Sequence, residues 1–555
     1  MERLTQRDMV AIGAVGLLLQ AFCLYAVPLV FECDAAVYFN YSAAETYRAP
    51  AFAWLLTLTG QHLLHSFTGT VLVQALFGVA VPLLAYACIV PTSRATARVS
   101  AVLILCSLVP FTGAKLMLAE QLFMVLFLVC GMVLSRYLRT GRPSGILWVA
   151  AAGLAAMFTR WEGEFLLAAC LLATLPAALR SPDRRAPIYW GAGVVVVLAV
   201  CVGWSYHRTR VMQDGRVFGT LQNGLGDQLF WAIYSSSGAW DTYYWEQILS
   251  PAVAAARRHD PPSAASTSTL LSLDNGPAAR ELASAIRRVA AARPSEDIFN
   301  AHLAYPGGGG FLTRLGGDPE RLVAEIFSDS NDTYVFSIPG ELRRELGAAG
   351  AERLLIGVCV EAIRRRPAFL ASRGVRALEM FGVSLTPDVL SAAARANPLG
   401  RFPAQGGVRA IAGRGVLLSL WDDIHYADMP FDMGGCATAA LPPRMLTEYR
   451  WDSRLTRSSD SLVAVLSFAR NAVRNTVGPL ALLTWWILFA SRERALYLSL
   501  MAGCLAVVGI TGALGGGAYT RYESATLPII VMLTCVSIAM VVERVRAGLR
   551  RPGAA

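Results

Sequence analysis

From Met9 to Val30 the chain runs 22 residues without a charged side chain. About 20 helical residues cross the hydrocarbon core of a bilayer, so the stretch is long enough to span. A cleaved secretory signal has a shorter apolar core and a small-residue cleavage site. Neither is evident, and the segment reads as a retained anchor. Further apolar segments follow at Phe67–Ile89, Val99–Thr112, Gln121–Leu134, Gly145–Phe158, Phe165–Leu179 and Ile188–Trp204. After a long polar interval come Val477–Ala490, Ala495–Leu514 and Ala525–Val542. Hydrophobic residues make up 55% of the 555 and the mean hydropathy is +0.47, too apolar for an ordinary soluble domain. The expected fold is a polytopic α-helical membrane protein with about ten transmembrane helices.

The net charge of +10 is carried almost wholly by arginine, with Lys115 the single lysine. In an apolar chain this excess sets topology rather than nucleic-acid binding. One set of connections holds Arg3 and Arg7, Arg94 and Arg98, Arg136, Arg139 and Arg142, Arg180, Arg184 and Arg185, Arg492 and Arg494, then Arg544, Arg546, Arg550 and Arg551. The short connections between them carry one basic residue each: Arg48, Lys115, Arg160 and Arg521. The positive-inside rule makes the first set cytoplasmic, with both termini inside. Counting Phe52–Leu64 as an eleventh span would put every later cluster outside, so it reads as an interfacial or re-entrant helix. The 11 cysteines include no CxxC pair, which argues against a zinc site or a disulfide scaffold. Cys359 and Cys436 lie in the large polar interval and could pair if that compartment is oxidising.

Under this topology a mixed set of side chains gathers on the outer face. The first outer loop has Glu32, Asp34, Tyr38, Glu45, Tyr47 and Arg48. Lys115 and Glu120 stand on the next turn, Arg160, Trp161, Glu162 and Glu164 on the third, and Tyr519, Arg521, Tyr522 and Glu523 on the last. Any one of these charges alone is an ordinary solvated or salt-bridged helix end. Together, cations suit a phosphate and carboxylates suit sugar hydroxyls, so the set fits a phosphorylated, sugar-bearing ligand. Acids beside a membrane are costly, which marks Glu32 and Asp34 as functional candidates.

The acidic pair in Glu32-Cys33-Asp34, directly after the first span, resembles the mark of the GT-C glycosyltransferases. These are polytopic enzymes that use polyprenyl-phosphate-linked sugars, such as the aminoarabinose transferase and the protein O-mannosyltransferases. Tyr47-Arg48-Ala49-Pro50, Leu118-Ala119-Glu120-Gln121-Leu122, Thr159-Arg160-Trp161-Glu162-Gly163 and Thr520-Arg521-Tyr522 leading to Leu527-Pro528 are similar to stretches of that superfamily. The resemblance covers roughly the first 205 residues and the last 80. It implies Asp34 as general base, taking the acceptor hydroxyl's proton, with Glu32 orienting the acceptor or supporting Asp34. Arg160, Arg521 and Lys115 are the candidates for the leaving phosphate, with Tyr522 donating a hydrogen bond. Tyr38, Arg48, Glu120, Trp161 and Glu162 are candidates for sugar or acceptor. Glu32 and Asp34 could hold Mg²⁺ or Mn²⁺, but the basic residues favour a metal-independent site with no cofactor required. The implied partners are a polyprenyl-phosphate sugar, an extracytoplasmic acceptor and membrane lipids, with no nucleic acid. The implied location is the inner (plasma) membrane.

Three regions follow: a transmembrane module over 1–206, an extracytoplasmic domain over 207–474, and C-terminal transmembrane helices over 475–555. The middle region reads as mixed and mainly helical, with helical apolar spacing at Ala278–Ala292 and Glu352–Arg366. Its aromatic-rich part, Phe218 to Trp245, suits buried core better than exposed sugar platforms. Pro261 to Asn275 reads as a flexible loop, and Gly307 to Gly310 as a turn that lacks the residues of a P-loop. Ala362 through Phe381 is basic and amphipathic, suited to a membrane surface or to solvent. Trp421-Asp422-Asp423-Ile424-His425, with Asp428 and Asp432, has no standard metal spacing and reads as a polar loop.

Two other classes compete. A transporter would place binding groups at mid-membrane, often within internal repeats, whereas here the charges sit at span ends and no repeat is apparent. A non-catalytic anchor or assembly module leaves the acids near the membrane without a use.

Overall fold

A computed structural model describes residues 2–26, 29, 38–39, 49–117, 119–160, 162–212, 225–234, 270–292, 319–328, 332–379, 381, 442–455, 460–514 and 519–549. The described residues are overwhelmingly helical. The N-terminal part comprises α1 (Glu2–Ala26), α2 (Ala51–Leu58), α3 (Gln61–Leu64), α4 (Thr68–Ile89), α5 (Arg94–Ser107), α6 (Val109–Thr112), α7 (Glu120–Thr140), α8 (Gly145–Thr159), α9 (Gly163–Leu179) and α10 (Arg185–Met212). Then come α11 (Leu225–Tyr234), α12 (Pro277–Ala292), α13 (Pro319–Ser328), α14 (Asp332–Arg365), α15 (Ala368–Glu379) and α16 (Pro443–Leu455). The chain closes with α17 (Asp460–Thr484), α18 (Arg494–Leu514) and α19 (Tyr519–Leu549).

Five helical stretches are long and apolar enough to cross a membrane: Leu4–Ala26, Thr68–Ile89, Glu120–Thr140, Arg185–Trp204 and Ala525–Ala547. Three shorter apolar helices, Gly145–Thr159, Gly163–Leu179 and Arg494–Gly509, pack among them. Leu17, Leu18, Leu76 and Ile188 are exposed, as lipid-facing positions of a bundle are. This is a helical membrane protein.

The helices alternate in direction, and side-chain bonds mark the two ends. At one end Asp8 of α1 accepts from Arg94 and Arg98 at distances of 2.7–3.0 Å and from the Tyr86 hydroxyl at 2.7 Å. At the same end Thr92 meets the Tyr497 hydroxyl at 3.3 Å. The opposite end joins Leu29, α4, α7, α8, α9 and α16 through the contacts of the candidate site.

Where the sequence suggests one straight helix over Val99–Thr112, the structure has α5 and the short Val109–Lys115 piece bent by 47°. Arg94 bonds at the Asp8 end and Lys115 at the other, so the bent pair traverses the bundle. Leu108 sits in the left-handed region with φ 59, and Pro110 follows within the next turn. Proline there lacks an N–H and disfavours helical continuation before it. The break exposes carbonyls inside the bundle, and two buried glutamine amides answer them. Gln121 Nε2 donates to Pro110 O at 2.6 Å, and Gln20 Nε2 to Phe111 O at 3.1 Å. Gly78 of α4 allows this packing, because a Cβ there would fall 2.6 Å from Pro110 O and 2.3 Å from Gln20 Oε1.

The Phe52–Leu64 stretch divides into α2 and α3 around Gly60, whose φ is 77. Eight residues span about 12 Å, too short to cross a bilayer. Phe52, Ala53 and Leu56 are buried, while Trp54, Leu58, Leu63 and Leu64 are exposed, which fits a helix lying in the interface. Trp54, Phe158 and Trp204 contact one another with centroids 5.4–6.4 Å apart, an aromatic group at the same end.

A second core lies outside the bundle. Phe230, Ile233 and Tyr234 of α11, Leu282 and Ile286 of α12, and Leu355 and Val358 of α14 close it. The Ala278–Ala292 and Glu352–Arg366 spacings therefore lie on α12 and the end of α14. Phe230 and Tyr234 stack at 5.2 Å inside this core, which gives the described part of the aromatic-rich segment a packing role. Glu352 caps the start of α11 at Gly226 N, and Glu361 caps α12 at Ala278 N and Ala279 N, at 2.8–2.9 Å. Carboxylates there offset the positive helix N-terminus. Asp227 pairs with Arg343. Cys359 is fully buried, and burial pushes its thiol up; Cys436 lies outside the described residues. In the basic stretch from Ala362 to Phe381, Arg364 and Arg365 are exposed, but Arg373 is buried. It donates to Ala232 O at 3.2 Å and lies 4.9 Å over Phe369. That residue therefore faces neither lipid nor solvent.

Candidate functional site

The site is built at the end of the bundle away from Asp8. Arg160 is the residue at which α8 stops: its backbone turns extended, with φ −150 and ψ 140. Its guanidinium forks onto Glu162, Nε to Oε2 at 3.2 Å and NH2 to Oε1 at 2.7 Å. NH1 reaches across to Glu120 Oε1 at 2.8 Å, at the first residue of α7. Arg160 also lies 5.8 Å over the Phe123 ring. All three charged side chains are buried, Glu162 to 1% residual exposure. A buried bidentate Arg–carboxylate pair is strong and directional because the fork matches the carboxylate. The cluster ties the starts of α7 and α9 to the end of α8.

Lys115 closes the turn Gly113–Lys115 just before α7. Its Nζ is 2.6 Å from Asp452 Oδ1, and Asp452 Oδ2 accepts from Leu29 N at 2.6 Å. Asp452 belongs to α16, which comes from the far side of the long polar interval. One turn earlier Glu448 accepts from Phe67 N at 2.9 Å and Ser66 Oγ at 3.1 Å, capping the start of α4. Three residues before that, Met445 is fully buried among Leu29, Tyr38, Phe39, Phe52, Phe67, Met117 and Ala119. The spacing 445, 448, 452 sets one face of α16 on the bundle, while Trp451 and Arg444 face outward at 64% and 67% exposure.

Tyr38 is 5% exposed, with its ring edge against Phe52 at 5.1 Å. It is packed in the cluster that also holds Met117 and Ala119, the neighbours of Lys115 and Glu120. Of the residues named from sequence, the structure thus brings Tyr38, Lys115, Glu120, Arg160 and Glu162 to one end. Arg521 and Tyr522 lie in the first turn of α19, with side chains outside the described set. Glu32, Asp34, Arg48 and Trp161 lie outside the described residues. So do Glu45, Tyr47, the Gly307–Gly310 turn and the Trp421–His425 cluster with Asp428 and Asp432. Among the described residues no group of three or more His, Cys, Asp or Glu is placed to hold a metal ion.

Sequence reasoning did not single out Asp452 or Glu448. Their spacing with Met445 was a visible helical stripe, but no local signal says which bundle residues it meets.

The chain matches no protein-family model, no curated protein and no solved structure.

Proposed function

We propose that the chain is an integral membrane glycosyltransferase of the GT-C type, moving a sugar from a polyprenyl-phosphate donor to a hydroxyl of an extracytoplasmic glycan, lipid or protein. The observation that supports this reading is the anchoring of the first connection. Leu29 is tied to Asp452, and through it to Lys115, while Tyr38 is packed beside Met117 and Ala119. Asp34 is four residues from Tyr38, a reach of at most about 14 Å along the chain. That length of chain allows the acidic pair to reach the end of the bundle that holds Lys115, Glu120, Arg160 and Glu162.

In this reading the end is extracytoplasmic and the bundle has ten crossings. They are the five long helices, the bent pair, the three shorter ones and α17. The acceptor oxygen forms a bond to the anomeric carbon as its proton passes to the Asp34 carboxylate. The bond from that carbon to the phosphate oxygen breaks, polyprenyl phosphate leaves, and configuration inverts. Lys115 and Arg521 are assigned the developing phosphate charge, Lys115 once it is released from Asp452. Arg160 is committed to Glu120 and Glu162, so it shapes the site by holding those carboxylates. No metal is required.

The test is transfer from a panel of polyprenyl-phosphate sugars by purified protein, with Asp34→Asn in parallel and chelator in half the samples. Turnover by the wild type, insensitive to chelator and reduced by about 10²–10⁴-fold in folded Asp34→Asn, is the expected result. Equal turnover in both removes Asp34 as the base.

A membrane transporter is the second reading. The bent α5–α6 span and the buried Gln20, Gln74 and Gln121 favour it, because broken helices with polar linings build transport sites. Substrate flux in proteoliposomes without sugar transfer would favour that class.

A further inference from the structure

We propose that α16 is a lid over the phosphate-binding site, with the Asp452 carboxylate seated where a ligand phosphate binds. The inference rests on the glycosyltransferase reading only for the identity of the ligand. The geometry is that of an occupied anion seat: one ammonium, Lys115 Nζ, and one backbone N–H, that of Leu29, each 2.6 Å from an oxygen of the same carboxylate. Charged and backbone donors converging on one anion are what a phosphate group requires. Asp452 comes 337 residues after Lys115, on a helix whose described contacts with the bundle run through Met445, Leu446, Glu448 and Asp452.

The attachments of α16 are of a kind that can be exchanged. Glu448 holds the N-terminus of α4 through Phe67 N and Ser66 Oγ, a second place where a carboxylate occupies anion-favouring donors. Among the described side chains of α16, Met445 is the fully buried apolar anchor, with Leu446 partly buried beside it. A phosphodiester carries the same charge as Asp452, and a phosphomonoester carries about −1.5 to −2 at pH 7, so the monoester competes better for Lys115. In the reaction above the donor is a diester and the released carrier a monoester, so the product holds the lid open more firmly than the substrate. A helix of 13 residues is marginal in water without its docking face. Displacement of Asp452 therefore loosens α16 as a unit.

The experiment uses full-length protein in detergent and phosphate-free buffer, with geranyl phosphate as probe, geraniol as the tail-only control and inorganic phosphate as the headgroup-only control. Amide hydrogen exchange over 443–455 and probe affinity are both read. Geranyl phosphate is expected to speed exchange across α16 in the wild type, and geraniol to leave it unchanged. A response to inorganic phosphate alone identifies the headgroup as sufficient. Apparent affinity scales with the open fraction, so a lid shut in about nine molecules of ten weakens binding about tenfold. Asp452→Asn is expected to bind geranyl phosphate about tenfold more tightly, with fast α16 exchange before any probe is added.

Binding without change in α16 exchange, or equal affinity in the two proteins, overturns the lid and leaves the glycosyltransferase reading standing. No binding to either protein at millimolar probe overturns both. Should Asp452→Asn fail to fold, the wild-type exchange comparison decides alone.

Discussion

At the scale of single residues, Arg160 carries the most. It joins three helix ends through Glu120 and Glu162 in a buried setting, and its removal takes the paired cation from two buried carboxylates. Arg160→Ala is expected to lower stability by about 3–5 kcal/mol, read as thermal or denaturant unfolding in detergent. Arg160→Lys keeps the charge but loses the fork, so it should fall clearly short of wild type. A wild-type unfolding curve for Arg160→Lys would show that charge alone suffices. The sequence made Arg160, Glu120 and Glu162 stand out as charges beside apolar segments, and that signal pointed to true neighbours. Arg373 shows its limit: in a basic amphipathic stretch suited to a membrane surface or to solvent, it is instead buried against Phe369 and Ala232. Which arginine of such a run turns inward depends on the element packed against it.

At the scale of elements, close approach of helices rests on small residues, as is common where lipid removes the hydrophobic drive between spans. A Cβ at Gly163 would fall 2.5 Å from Ala156 C and Met157 N, so α8 and α9 meet backbone to backbone there. Gly78→Ala and Gly163→Ala are each expected to cost about 1–3 kcal/mol in unfolding experiments. Gly191, with nothing within 4 Å of a Cβ, is the control and should tolerate alanine. The five helices long enough to cross were legible because long charge-free runs have few other uses. The break at Leu108 was not read, although Pro110 signalled it. The glutamines that satisfy the break carry no charge and so do not stand out in an apolar segment. Contacts such as Gln121 to Pro110 O are a property of packing and have no periodic signature.

At the scale of the molecule, the arginine clusters and the alternation of helix direction agree on two distinct ends, and labelling can decide which faces the cytoplasm. In a cysteine-free background, Arg444→Cys should react with a membrane-impermeant maleimide in intact cells, and Arg184→Cys only after permeabilisation. The reverse pattern would invert the topology and move the proposed site inside. Sequence alone divided the chain into bundle and intervening region, but the return of α16 onto the bundle was beyond it, since nothing local in Asp452 names Lys115 as its partner. That return has a consequence in time. With the two separated by 337 positions, a ribosome adding about 5–20 residues per second needs roughly 20–70 s to make the second after the first. Throughout that interval the first spans stand in the membrane with Lys115 unclaimed by α16 and the Met445 hollow unfilled. Closure of that seat thus requires a chain synthesised past α16.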